Sequence, residues 1–169
     1  MIGRLLVILA MVLCVFTPSC QAVHTMKEIT KVTYTSDAGT ILPELQWHEV
    51  FVITRDGVVL TRNGRTPGTQ VNTGTWNIAI GADTVDALFA RLESIDPDRI
   101  HRVEPEDPPD GGGTVGYEIA YGRDRTLSLL YDPGTTYTGG EQITAPVLAF
   151  LQDLALPAEA VSRYSVAEP

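Results

Sequence analysis

Cysteine is nearly missing from this chain. The two that exist, Cys14 and Cys20, both fall in the first twenty residues. Everything beyond them has to fold without an internal disulfide and rely on a hydrophobic core. Histidine is scarce as well. His24, His48 and His101 stand apart, with none of the short spacings that gather zinc ligands. Basic residues number 12 against 21 acidic, for a formal net charge of −9. A field of that sign repels phosphate backbones and anionic headgroups, and no basic stripe offsets it, so nucleic acid is not an expected partner. Long apolar runs are missing too, apart from one near the start. Leu5 to Phe16 is about 12 residues, short of the roughly 20 that a membrane-spanning helix needs.

That one run has Arg4 before it and Thr17, Pro18 and Ser19 after it. A positive charge, a short apolar stretch and small residues make an export signal; a short anchor that stays attached is the alternative. The next residues are Ser19-Cys20-Gln21-Ala22. A small residue directly before a cysteine, just past such a stretch, resembles the processing site of bacterial lipoproteins. The resemblance implies a signal peptide over 1–19 and an acylated Cys20 as first residue of the mature chain. Gln21, not being Asp, implies sorting to the outer membrane in a double-membraned cell. Ordinary cleavage after Ser19 or Ala22, with a soluble periplasmic or secreted product, remains the other reading.

Residues 20–28 read as a tether. Alternating, β-branched segments predict strands over 29–35, 47–54 and 58–62, the last two joined by Arg55-Asp56-Gly57 as a hairpin. Asn63 to Thr75 has no apolar rhythm and reads as a loop. A short strand is expected over 76–80. Val85, Leu88, Phe89, Leu92 and Ile95 then recur at helical spacing, with Asp83 placed to cap and Asp96-Pro97 to stop a helix over 84–95. An edge strand follows at 100–104, and an acidic, proline-rich loop at 105–113.

Asp110 to Gly140 holds the most regular pattern. Val115, Tyr117, Ile119 and Tyr121 alternate before the Gly122–Arg125 turn, and Leu127, Leu129 and Tyr131 after it, which predicts a hairpin with one buried face. Thr144 is expected to cap a second helix over 144–155, with Pro146 in its first turn. The sum is an α+β fold. An antiparallel sheet of about five to six strands carries two amphipathic helices on one face, in a ββα–ββα plan. The other face is expected to be partly wet at Glu49, Thr61 and Glu118. One domain over 29–164 is expected, with 165–169 as a disordered C-terminus.

The layout from 29 to 155 also resembles small uncharacterised bacterial lipoproteins: an Asp56-Gly57 hairpin, a Leu-rich helix at Leu88 to Leu92, a tyrosine-bearing hairpin from Tyr117 to Tyr131, and a closing helix. It is similar as well to emfourin-type metalloprotease inhibitors, which begin with a strand and end with a Leu-rich helix.

No converging catalytic set is legible. Gly111-Gly112-Gly113-Thr114 leads into a strand, with no lysine, so it is not a phosphate loop; a tight chain approach or flexibility explains it better. The acidic loop 104–110 lacks EF-hand spacing and reads as solvated. His48 on a strand reads as a half-buried or surface residue. Tyr137, amid Thr135 and Thr136 outside any expected element, either folds back on the core or projects. The leading expectation is therefore an exported, lipid-anchored, non-enzymatic binding domain of a bacterial cell envelope. It requires no cofactor or metal, touches the membrane through the acyl anchor only, and binds a protein or envelope component. A protease inhibitor presenting Thr135, Thr136 and Tyr137 from loop 133–142 is a second expectation. An enzyme of unfamiliar type using Asp107, Asp110 and Asp132 is a third, since acid–base chemistry needs two carboxylates at defined separation.

Overall fold

The computed structural model describes residues 28–39, 46–64 and 72–160. The expected signal peptide, Cys20, the expected tether to residue 27 and the segment 161–169 lie outside the described residues. Among the described residues eight strands and two α-helices follow in order: β1 (Ile29–Asp37), β2 (Trp47–Thr54), β3 (Gly57–Gly64), β4 (Gly74–Ile78), α1 (Ala82–Glu93), β5 (His101–Val103), β6 (Thr114–Tyr121), β7 (Arg125–Tyr131), β8 (Thr136–Thr138) and α2 (Glu141–Gln152).

Six strands form one antiparallel sheet in the order β4-β3-β2-β1-β6-β7. Both hairpins fall where alternation and turn chemistry place them. Gly57 opens β3 at φ 139°, a conformation that side chains resist. Registers align whole rows of side chains. Ile78, Val58, Ile53, Val32, Ile119 and Leu127 lie side by side across the sheet. Trp76, Leu60, Phe51, Tyr34, Tyr117 and Leu129 form the next row. These rows meet Val85, Leu88, Phe89 and Leu92 of α1 and Ile143, Val147 and Phe150 of α2 in one core. Each fully buried side chain of this size contributes about 1.5–3 kcal/mol, which is what holds two short helices that have no side-chain cap. The opposite face carries Thr33, Thr35, Thr61 and Glu118, and none of these is buried.

Several details differ from the sequence reading, among them the start of α1, where Gly81 is the N-cap and Asp83 lies inside the first turn without capping. Glu49 is not on the wet face. It shares the helix-facing side with Phe51 and Ile53 and pairs with Arg62, whose side chain is only 5% exposed. The register decides this: two residues on from Phe51 is the same face. The strand at 101–103 is not an edge of the main sheet. It pairs with β8 as a separate two-stranded ribbon. Tyr137 therefore lies inside a regular element, the middle of β8, opposite Arg102. And α2 starts at Glu141, with Gly140 at its N-cap and Thr144 inside it. Gly140 O accepts from both Ile143 N and Thr144 N, so the glycine pair begins the helix a turn early. Pro146 consequently sits in the second turn, where its missing N–H deprives Gln142 O of a helical donor.

After α2 the chain returns along the sheet. Leu154 and Leu156 pack on the core, and Ala160 is fully buried. Arg62 Nη1 donates to Ala160 O at 2.8 Å, and Asn72 Nδ2 to Glu159 O at 2.8 Å. Among the described residues no helix is long and apolar enough to cross a membrane.

Candidate functional site

Two of the places where polar side chains gather involve expected site residues or an open hollow. The first is the end of the sheet where β1 stops and β2 begins. Antiparallel register sets Asp37 opposite His48, and His48 opposite Asn63, on the face turned from the helices. His48 Nδ1 lies 2.7 Å from Asp37 Oδ1. An ionised carboxylate only accepts, so the imidazole donates from Nδ1 and its Nε2 is left as the acceptor of the neutral ring. Both side chains are about two-fifths exposed, at 41% and 43%.

These residues border an open hollow of about 450 Å³, lined by Asp37, Gly39, Gln46, Trp47, His48, Asn63 and Gly64. Gly39 has φ 77°, and a Cβ there would overlap the backbone of Gly112. Gly113 packs as tightly, its would-be Cβ 2.8 Å from Asp37 O. The run Gly111–Gly113 thus permits a close approach of two chain segments, and that approach braces the wall next to Asp37. The hollow has no Ser, Thr, Cys, Lys or Arg among its described lining residues. A second hollow of about 340 Å³ lies at the β3–β4 end, beside Asp56, Gly57 and Asn77.

The second polar gathering centres on Arg102 of β5. Its Nε donates to Glu104 Oε1 at 2.7 Å, and one Nη2 to Asp132 Oδ2 at 3.0 Å. Nη1 reaches Leu130 O at 3.2 Å and Tyr137 Oη at 3.4 Å, and Nη2 reaches Thr135 Oγ1 at 3.5 Å. Hydrogen bonds to Asp132 first, then to Tyr137, push the guanidinium above its already high usual pKa. Tyr137 Oη in turn accepts from Leu130 N at 2.9 Å and faces Leu130 O at 3.3 Å. Its ring stands 4.9 Å from that of Tyr131, at the end of a tilted aromatic row running Phe51, Tyr34, Tyr117, Tyr131, Tyr137.

The expected site residues distribute as follows. Thr135 is buried, Thr136 is exposed, and Tyr137 is half-buried with its hydroxyl on the edge of β7. Asp107 and Asp110 are exposed, whereas Asp132 is engaged by Arg102. Among the described residues no group of three or more His, Cys, Asp or Glu is placed to hold one metal ion. Sequence reasoning missed the Asp37–His48 pair. Asp37 lies beyond the strand expected over 29–35, and only the register of the longer β1 brings it to His48.

No protein-family model matches this chain, and no curated protein does.

Proposed function

We propose that this chain is an exported, lipid-anchored, non-enzymatic binding domain of a bacterial cell envelope. The observation that carries the reading is the hollow at the β1–β2–β3 end. Its described lining brings the Asp37 carboxylate and the His48 imidazole together with Gln46 and Asn63, a set of polar residues at one end of the sheet. Such a set can both donate to and accept from a bound ligand. The anchoring half rests on the leader and on Ser19-Cys20.

The inhibitor reading draws no support from loop 133–142. Two of its three contact side chains, Thr135 and Tyr137, are turned onto the protein's own strands. The acid–base reading draws none from Asp132, whose carboxylate is held by Arg102.

The test expresses the full chain in a double-membraned bacterium and measures its intact mass and its retention on envelope extract. The expected result is a chain beginning at Cys20 with acyl groups attached, retained on the extract. A soluble product cut after Ala22, or an acylated chain that envelope material never retains, overturns the corresponding half.

A further inference from the structure

We propose that the domain is held with one end of the main sheet toward its membrane, and that the end bearing the Asp37–His48 hollow faces away from the lipid. The inference deepens the binding-domain reading and rests on the acylation of Cys20.

Register defines the two ends. Ile29 lies beside Tyr121 and Val32 beside Ile53, so the start of β1 shares an end with the turns 55–56 and 122–124. Asp37 lies beside His48 and Thr114, so the hollow marks the opposite end. β1 has nine residues, which at about 3.3 Å each set the two ends roughly 30 Å apart.

The chain enters the described body at the turn end, and there it is clamped. Ile29 is fully buried. Its N–H donates to Glu93 Oε1 at 2.8 Å, and its carbonyl accepts from Arg55 Nη1 at 3.1 Å. The same Arg55 Nη1 lies 2.7 Å from Glu28 Oε1, and Glu28 O accepts from Gly122 N at 2.9 Å. Helix α1 and both turns thus hold two consecutive residues. From Cys20 to Glu28 is eight residues, and a fully extended chain of that length spans at most about 29 Å. An anchor at Cys20 therefore keeps the turn end near the lipid and leaves the hollow end free to lie up to about 30 Å further out.

Charge favours the same orientation. At the turn end Arg55 answers Glu28 and Asp86, and Arg125 answers Asp98. At the hollow end Gly112 packs on Gly39, and the loop that leads to it carries Glu106, Asp107 and Asp110, all exposed. Anionic headgroups repel such a loop more strongly than a turn whose neighbouring acids are paired. The envelope component that occupies the hollow is accordingly one that lies beyond the headgroup layer, not a lipid of the anchoring leaflet.

The experiment takes the acylated mature protein with one added cysteine, labelled with a fluorescent donor. It is placed in vesicles of phosphatidylethanolamine and phosphatidylglycerol that carry a headgroup-linked energy acceptor. Removal of Cys14 with the signal and acylation of Cys20 leave the added thiol as the one that reacts. Arg123→Cys and Asp56→Cys report the turn end; Asp107→Cys and Asn63→Cys report the hollow end. All four positions are exposed, and far-UV circular dichroism checks the fold of each variant. Transfer from the turn end is expected to exceed transfer from the hollow end about twofold or more, given a separation of roughly 30 Å. Equal transfer from both ends, or greater transfer from the hollow end, overturns the proposal. Intact mass separates this from failure of the anchor. Equal transfer from an acylated chain removes the orientation alone; a chain without acyl groups removes the anchor reading and the orientation together.

Discussion

At the scale of single residues, the buried pair Arg62–Glu49 carries more than its two charges. Arg62 Nε donates to Glu49 Oε2 at 2.8 Å, its Nη1 holds Ala160 O, and its guanidinium lies 5.8 Å from the centre of the Trp76 ring. Removing the carboxylate leaves a guanidinium without its counter-charge where little water reaches, so Glu49→Ala is expected to cost about 3–5 kcal/mol in urea unfolding. A change that removes both members, Glu49→Leu with Arg62→Met, is expected to cost clearly less than Glu49→Ala. Gly140 makes the second residue-scale prediction. A Cβ there would run into Tyr131 Oη and come within 2.8 Å of Tyr137 Cβ. Gly140→Ala should lower stability by about 1–3 kcal/mol through overpacking, read from the shift of the denaturant midpoint.

At the scale of elements, the outer edge of β7 shows how a two-stranded ribbon serves a six-stranded sheet. The registers of the β6–β7 ladder end on the pairs Val115–Tyr131 and Tyr121–Arg125. Alternation then turns the N–H and C=O of Leu130 outward, where an unpaired edge invites another chain. Tyr137 Oη and Arg102 Nη1 fill that place. Tyr137→Phe should therefore cost about 1 kcal/mol and also raise self-association, seen as a concentration-dependent sedimentation coefficient. Most elements were legible in the sequence for one reason: local period and turn chemistry agreed. The β2–β3 and β6–β7 hairpins and α1 each have an apolar face that their own spacing declares. What was not legible depended on partners far away in the chain. Nothing within residues 101–103 says that they pair with 136–138. Glu49 looks solvated until Arg62 is seen opposite it. The Asp37–His48 contact exists only because β1 runs two residues further than its β-branched stretch. The candidate site was thus the least readable part, since cross-strand register builds it.

At the scale of the whole molecule, tyrosines set an alkaline limit. Burial is the leading cause that raises the pKa of Tyr34, Tyr117, Tyr121 and Tyr131 above the usual 10. In the unfolded chain these phenols lose protons near pH 10. Above that pH the unfolded state binds fewer protons than the folded one, so stability falls as pH rises and is intact below it. Phenolate absorbance at 295 nm is expected to rise together with loss of circular dichroism, as one cooperative step above pH 10. Tyrosine ionisation completed before the fold is lost would contradict this.

The middle position of β1 in the sheet has a consequence for how the chain is made. It is the first of the described strands to be synthesised, yet one of its two neighbours, β6, begins at Thr114. Until that distant segment emerges, β1 has one side open, and the final tie at Ala160 comes later still. Half-made chains are thus expected to stay loose, and the sheet closes only when most of the described strands are present.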